Sequence, residues 1–338
     1  MNSWRSLLPK TAFSLVLGLF FGLLLASVSA ELWLNSRALL VHYQGQWYMP
    51  CFSAQRPGRF FGEDYDWETD YRALQAKWQA QGSGDQVILP LIPYNALLID
   101  LKFPPPASPS SASGHLLGTD STGRDVLARF IYGFRSAFWL ALLFIGLTWS
   151  LSLLVASLCA MGPLWLDLLV QRLIEIWAMI PFLYIAITLV SLVMLNAWLL
   201  VLVLSLFSWP SVSLYFRALI LQVKEQDFIT AARLLGLPWS RIALRHILPQ
   251  IWPFMLSLLP FAIASALVTL TSLDFLGFGL PPPEPSWGDL LQQALEKPFA
   301  YWLFTPVLAG LFVTLTAMTR IGEAIRNKQN PRRTQNYR

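Results

Sequence analysis

Side chains able to do covalent or acid–base chemistry are thinly spread along this chain. His42, His115 and His246 are scattered, and Cys51 and Cys159 lie at no metal-binding or disulfide spacing. The densest run of carboxylates is Glu63-Asp64-Tyr65-Asp66-Trp67-Glu68. A membrane-embedded glycan or lipid transferase would need converging carboxylates, histidines or a metal set. This run is its one candidate, and it reads more naturally as a solvated loop. No Gly-x-x-x-x-Gly-Lys-Ser/Thr phosphate loop occurs, so the chain does not cradle ATP phosphates in that way. No catalytic residue, cofactor site or metal site is therefore assigned. Arg172 and Glu175 are charges of another kind, three residues apart in an apolar run and able to pair along one helix. A lone charge within the bilayer costs about 2.5–3.5 kcal/mol on insertion scales, so pairing or snorkelling is required. A structural pair and a gating contact both satisfy that requirement. Asp167, one turn below, is expected to face cytoplasmic water.

The elements that must position these residues are mostly apolar. Of 338 residues, 55% are hydrophobic and 13% charged, against about 25% charged in a soluble domain. The mean hydropathy is +0.52. The net charge of +5 does not indicate a nucleic-acid binder, because the basic residues gather in particular loops, not in one patch interleaved with aromatics. Apolar runs predict an all-α membrane protein with six spans, at about 11–34, 136–160, 166–193, 196–216, 251–273 and 302–319. Pro181 should kink the third span, and Pro253 and Pro260 lie in the fifth. Val28-Ser29-Ala30 looks like a signal-peptidase site, yet the run before it exceeds the roughly 7–15 residues of a signal h-region, which favours an uncleaved anchor.

This gives residues 1–34 as a tail and first span, 35–115 as an insert with a Pro/Ser linker, 116–320 as a core containing the polar loop 217–250, and 321–338 as a basic tail. Arg5, Lys10, Arg217, Lys224, Arg233, Arg241, Arg245, Arg320, Arg326, Lys328, Arg332, Arg333 and Arg338 all fall on one side of this arrangement. The short loops on the other side hold Lys297 alone, so both termini and the loop 217–250 are expected in the cytoplasm.

The insert has no spanning segment and balances its basic residues with acidic ones. Tyr71, Leu74 and Trp78 share one helical face, residues 87–92 read as a short strand, and Pro104-Pro105-Pro106 opens a linker. Its aromatics (Tyr43, Trp47, Tyr48, Phe60, Phe61, Tyr65, Trp67) either pack a small lid or present a contact surface to a substrate or its carrier. Downstream, Gly118 and Gly123 punctuate a turn in which Asp120 can accept hydrogen bonds from the N–H groups opening a helix. That helix carries Val126, Leu127, Phe130 and Ile131 on one side and reads as an interfacial helix feeding the second span.

Residues 224–249 are the stretch with the clearest local grammar: a short helix, a break and a second short helix. Gly236 sits where a helix ends, since glycine takes a left-handed turn at little cost. Pro238 sits where the next begins, because its missing N–H would be unsatisfied there anyway. Ala231 and Ala232 form a small-residue notch upstream of the break. A bent basic helix pair with such a notch has the character of a docking element, the alternative being an ordinary amphipathic loop helix.

These residues resemble the cytoplasmic coupling loop of ABC importer permeases, whose pattern is Glu-Ala-Ala, three residues, Gly, nine residues, Ile, one residue, Leu-Pro. Ala231, Ala232, Gly236, Leu248 and Pro249 fall on that pattern, while Thr230 replaces the acidic residue and His246 the isoleucine. The phrase Gly118-Thr119-Asp120-x-x-Gly123-Arg124-Asp125 resembles the segment before the second span in dipeptide, oligopeptide and nickel importer permeases. Residues 269–290 and Ile321-Gly-Glu-Ala-Ile-Arg326 are similar to further segments of the same family. Residues 39–50, the large insert and residues 270–281 look like the Yej-type branch, whose system imports peptides and microcin C. The resemblance implies a type I permease fold in the bacterial inner membrane and a second homologous permease. It also implies a cytoplasmic ABC ATPase that binds ATP and Mg, a periplasmic substrate-binding protein and a peptide substrate. A secondary transporter or a transferase, working without an ATPase, is the rival reading.

Overall fold

The computed structural model describes residues 10–82, 84–110, 114–182, 184, 185, 188 and 196–329. In chain order come α1 (Lys10–Val28), α2 (Ala30–Trp33), β1 (Leu40–Tyr43), β2 (Gln46–Tyr48), α3 (Tyr71–Gln81) and β3 (Gln86–Ile88). Then follow α4 (Val126–Met161), α5 (Leu164–Ala178), α6 (Ala197–Lys224), α7 (Asp227–Leu234) and α8 (Trp239–Ile242). A π-turn (Ala243–Ile247) leads into α9 (Leu248–Phe275), α10 (Trp287–Glu296) and α11 (Tyr301–Gln329). The residues group into two compact units, Met1–Ser136 with Pro282–Gly310, and Ala137–Pro281 with Leu311–Arg338.

Within the first unit the insert folds around aromatics. Asp70 caps α3 by accepting from the N–H groups of Arg72 and Ala73 at 3.0 and 3.2 Å, and Gly82 ends it in the left-handed region. As the periodicity predicts, Tyr71, Leu74 and Trp78 are buried, together with Val41, Phe61 and Val87. Tyr43 stacks on Trp78 at 5.5 Å. The sheet has the order β2-β1-β3 and is antiparallel throughout, with Val41 opposite Tyr48 on one side and Val87 on the other. Gln44 and Gly45 both take positive φ, as a two-residue hairpin turn requires. The all-α expectation holds for the bulk of the described residues, with this small sheet as the exception; β1 and β2, of four and three residues, are too short to show a period. The expected strand at 87–92 is realised only as Gln86–Ile88, and Ile92 bridges instead to Leu34. Lid packing accounts for Tyr43 and Phe61, whereas Trp47 and Trp67 stay exposed. The acidic run is dispersed: Glu63 pairs with Lys77, Asp66 with Arg59 and Glu68 with Arg37. Among the described residues no three metal-capable side chains come together.

Among the described residues four helices are long and apolar enough to cross a membrane: Val126–Met161, Ala197–Lys224, Trp239–Phe275 and Tyr301–Gln329. The first of these merges the expected interfacial helix with the second span, with no break at residue 136. The apolar stretch of α1 is shorter, Phe13–Val28. Helix α5 stops at Ala178, ahead of Pro181, where the residue preceding a proline is pushed out of the helical region. Much of the remainder of the expected third span lies outside the described residues, as do 1–9 and 330–338 of the expected tails. Asn196 caps α6 by accepting from the Leu199 N–H at 2.8 Å.

Two glycines admit close packing. A Cβ on Gly310 would meet the Phe130 and Trp287 rings at 2.8 and 2.9 Å, and one on Gly322 would meet the Phe261 ring. Gly146, by contrast, has open space around it. Gly310→Ala should therefore lower stability by about 1–3 kcal/mol through overpacking. Gly146→Ala should leave it unchanged or raise it by about 0.5–1 kcal/mol. Thermal unfolding of the detergent-solubilised protein, followed by tryptophan fluorescence, distinguishes the two.

Candidate coupling site

The break in the loop 217–250 is closed by backbone hydrogen bonds. The Gly236 N–H donates to the Arg233 carbonyl at 2.9 Å, and the Leu237 N–H to the Ala232 carbonyl at 3.3 Å. This reciprocal pair, with Gly236 at φ +76°, is the Schellman arrangement. No atom lies within 4 Å of where a Cβ on Gly236 would stand, so the requirement for glycine there is conformational and not steric. Pro238 sits one position outside α8, where its carbonyl accepts from Arg241 and Ile242.

The second short helix does not end as expected but runs on through the π-turn into α9. Pro249 has no N–H to offer the carbonyl four residues back and its ring crowds that carbonyl. The ladder widens just before it, where the Leu248 N–H reaches the Ala243 carbonyl.

One apolar core joins these pieces: Ile229 and Ala232 from α7, Ile242 from α8, Ile247 from the π-turn, and Ile251 and Met255 from α9. Phe216 and Ile220 of α6 and Ala156 and Ala160 of α4 complete it. Ala232 is thus a core residue, and only Ala231, beside Thr230, faces outward, which corrects the picture of a two-alanine notch. Trp239 engages two cations, with the Arg233 guanidinium 4.5 Å and the Lys224 ammonium 5.3 Å from its ring centre. Lys224 also donates to the Ala160 carbonyl. The exposed surface mixes charge with large apolar side chains: Asp227, Arg233, Arg241 and Arg245 are exposed, Leu234 and Leu235 are more than four-fifths exposed, and Leu244 is 66% exposed. His246 and Leu248 are half-buried and Pro249 is exposed.

Arg172 and Glu175 do pair along α5 at 2.6 Å, with both side chains well exposed. Asp167 does not face water. It is buried and gripped by both nitrogen positions of Arg217 at 2.6 and 2.5 Å, fifty residues away on α6. A pairing at that separation leaves no trace in local spacing.

In the first unit, Gly118, Thr119, Asp120, Gly123, Arg124 and Asp125 form one turn. Asp125, not Asp120, caps α4, accepting from the Ala128 N–H at 2.7 Å. Asp120 instead closes the turn on itself, accepting from the Thr122 and Arg124 N–H groups at 2.9 Å and from the Arg124 guanidinium at 2.8 Å. Burial works against charge on Asp120, but the Arg124 N–H and guanidinium, the Thr122 hydroxyl and the Arg129 guanidinium outweigh it. They hold the carboxyl below the usual carboxylate range. Gly118 and Gly123 both have positive φ with backbone carbonyls close to where a Cβ would lie.

Arg129, one turn into α4, is 1% exposed. It donates to the Ala96, Pro283 and Glu284 carbonyls at 3.1–3.3 Å and to Asp289 at 2.7 Å. Trp287 stacks on Phe130 at 5.3 Å and donates to its carbonyl at 2.8 Å. Sequence reading does not single out Arg129, because the partners that mark it, at residues 96, 283, 284 and 289, lie far away along the chain.

Residues 150–328 match the family model of the binding-protein-dependent transport system inner membrane component. The chain is 36% identical over 311 residues to the inner membrane ABC transporter permease protein YejE of Escherichia coli, covering 92% of this chain and 90% of that protein. It is 33% identical over 345 residues to the peptidoglycan transport system permease protein YejE of Agrobacterium fabrum, covering 94% and 88%. Its fold is similar to a chain of the inward-facing MetNI methionine ABC transporter, at a TM-score of 0.51 and 14% identity over 59% of this chain and 96% of that one. This chain belongs to the family of binding-protein-dependent transport system inner membrane components. It is a multi-pass inner-membrane permease of the ABC importer class.

The Asp120 turn carries a pH signature. Its folded pKa is depressed, so its contribution is present above the unfolded value of about 3.9 and is lost as pH falls through the folded value. Thermal stability of the solubilised permease should fall on acidification below about pH 4. Asp120→Asn should be less stable than wild type at neutral pH, with the difference shrinking towards the acid end.

Proposed function

We propose that this permease forms half of a pore that imports peptides, with microcin C-like peptide conjugates as further cargo. In this reading six spans place both termini and the loop 217–250 in the cytoplasm and the insert 35–115 in the periplasm. A periplasmic binding protein delivers the cargo, and a second, homologous permease supplies the other half of the path. ATP and Mg are bound by a separate ABC ATPase, so hydrolysis belongs to that subunit and not to this chain.

The observation that carries the proposal is the two-faced build of the loop around Gly236. Its inner face (Ile229, Ala232, Ile242, Ile247) is continuous with the core of α6 and α9, while its outer face presents Ala231, Leu234 and Leu235. Largely exposed leucines beside a hydrogen-bonded turn fit a surface covered by another subunit. Closure of the ATPase would push on this tip, and the shared core would pass the displacement through the π-turn into α9. The peptide assignment rests on the Yej-type motifs and on the naming of the relatives. A secondary transporter would need no such partner and would purify without a bound nucleotide hydrolase.

Two outcomes follow. Left-handed backbone costs a non-glycine residue about 1–2 kcal/mol, with asparagine the tolerated exception. Gly236→Val should therefore abolish ATP-driven uptake with the protein still inserted, and Gly236→Asn should keep most of it; equal activity of both variants in vesicles would count against the lever. Cells lacking this chain should lose uptake of a labelled tripeptide and survive microcin C, and re-expression should restore both. Unchanged uptake and sensitivity in the deletion strain would remove the peptide assignment.

A further inference from the structure

A cavity of about 740 Å³ opens in the first unit, among α2, residues 67–72, residues 95–98 and the first turns of α4. It lies within the size range of ligand pockets, roughly 300–1,000 Å³. We propose that it binds the main chain of a short zwitterionic peptide directly, as a site of this permease distinct from that of the binding protein. The inference rests on the peptide-import reading above.

The lining brings both signs of charge together. Arg37, Arg72 and Arg135 share the cavity with Glu31, Glu68, Asp70 and Glu284. An anion alone would meet carboxylates there and a cation alone would meet guanidiniums. A molecule with separated opposite charges and amide groups between them satisfies both.

The pairs are unequal. Arg37 holds Glu68 at 2.6 Å, whereas Arg135 reaches Glu31 only at 3.3 and 3.4 Å, long against the ~2.7–2.9 Å of a charge-assisted hydrogen bond. The other oxygen of Glu31 is held by the Asn35 amide at 2.9 Å and the Tyr132 hydroxyl at 3.1 Å. The carboxylate is therefore fixed, while the Arg135 guanidinium rests over the Tyr132 ring, 4.5 Å from its centre, without a short charge-assisted hydrogen bond to Glu31. Arg135 is placed to take a ligand carboxylate, and Glu31 a ligand ammonium.

The walls are already set. Asn95 accepts from the Leu97 and Leu98 N–H groups at 2.8 and 2.6 Å and donates to Ser36 at 2.6 Å. A preorganised wall spares a ligand the cost of ordering it. Trp67, 71% exposed and stacked on Tyr65 at 4.6 Å, offers a flat apolar face to peptide side chains of varied shape.

The test titrates the complete solubilised importer, without its binding protein, with tri-alanine by calorimetry. Tri-alanine amide and N-acetyl-tri-alanine serve as matched probes. Saturable binding of tri-alanine to wild type is expected, weakened about tenfold or more by Arg135→Gln. The amide should bind wild type as weakly as tri-alanine binds Arg135→Gln, with no further loss in the variant. Glu31→Gln should weaken tri-alanine and leave the N-acetylated probe unchanged.

Co-purification of the ATPase checks that each variant assembles; if Arg135→Gln does not, the amide on wild type decides the matter alone. Equal affinities across wild type and assembled variants, or equal affinities of the three probes, overturn the site. So does absent binding to an importer whose cells still take up tri-alanine, which leaves the import reading intact. Failure of wild-type cells to import any peptide overturns that reading and the site with it.

Discussion

The left-handed turn at Gly236 is the constraint on which the second unit depends. It reverses the chain between α7 and α8 within four residues, so that Ile229 and Ala232 enter the same core as Ile242, Ile247 and Ile251. Any residue that pulled this position into right-handed space would open the two backbone hydrogen bonds from Gly236 and Leu237 and take α7 out of register with α6. Trp239 reinforces the fold-back, because Arg233 comes from before the turn and Lys224 from the end of α6. The outcome is a corner whose inner face is packed into the core and whose outer face exposes Leu234 and Leu235. Rigidity is what a part that transmits displacement requires, since a loop that yields would absorb the motion.

The first unit solves a different problem, that of burying many charges next to apolar helices. Burial of ionised groups is tolerable only when each is paired and hydrogen-bonded. Asp120 is satisfied by N–H groups, a hydroxyl and guanidiniums. Arg129 spreads four hydrogen bonds from its two terminal nitrogens over three backbone carbonyls and Asp289. Because those partners come from residues 96, 283, 284 and 289, one side chain fixes segments distant in sequence. Trp287, packed on Phe130 under Gly310, supplies the apolar counterpart of that fixation.

Local rules made part of this visible in the sequence. The Tyr71, Leu74 and Trp78 stripe, the helix stop at Gly236 and the pairing of Arg172 with Glu175 all depend on residues within one or two turns of each other. What stayed hidden depends on tertiary partners. Asp120 and Asp125 are equally good caps by type, and only the path of the chain assigns the cap to Asp125. The Asp167–Arg217 pair joins two helices through a separation that no periodicity records. The strands β1 and β2 are shorter than the window in which alternation can be read, and β3 shows in the sequence only as part of a longer run. The π-turn was implicit in Pro249 but needed the continuity of α8 with α9 to appear.

The proposed coupling requires the outer face of the Gly236 corner to meet a nucleotide hydrolase in the cytoplasm. Site-directed cross-linking from Leu235→Cys in inside-out vesicles of the assembled importer tests this most directly. A cross-link to the ATPase, formed from the cytosolic side and blocking ATP-driven uptake, is the predicted result. Labelling of Leu235→Cys only from the periplasmic side, or a cross-link to no nucleotide hydrolase at all, would contradict it.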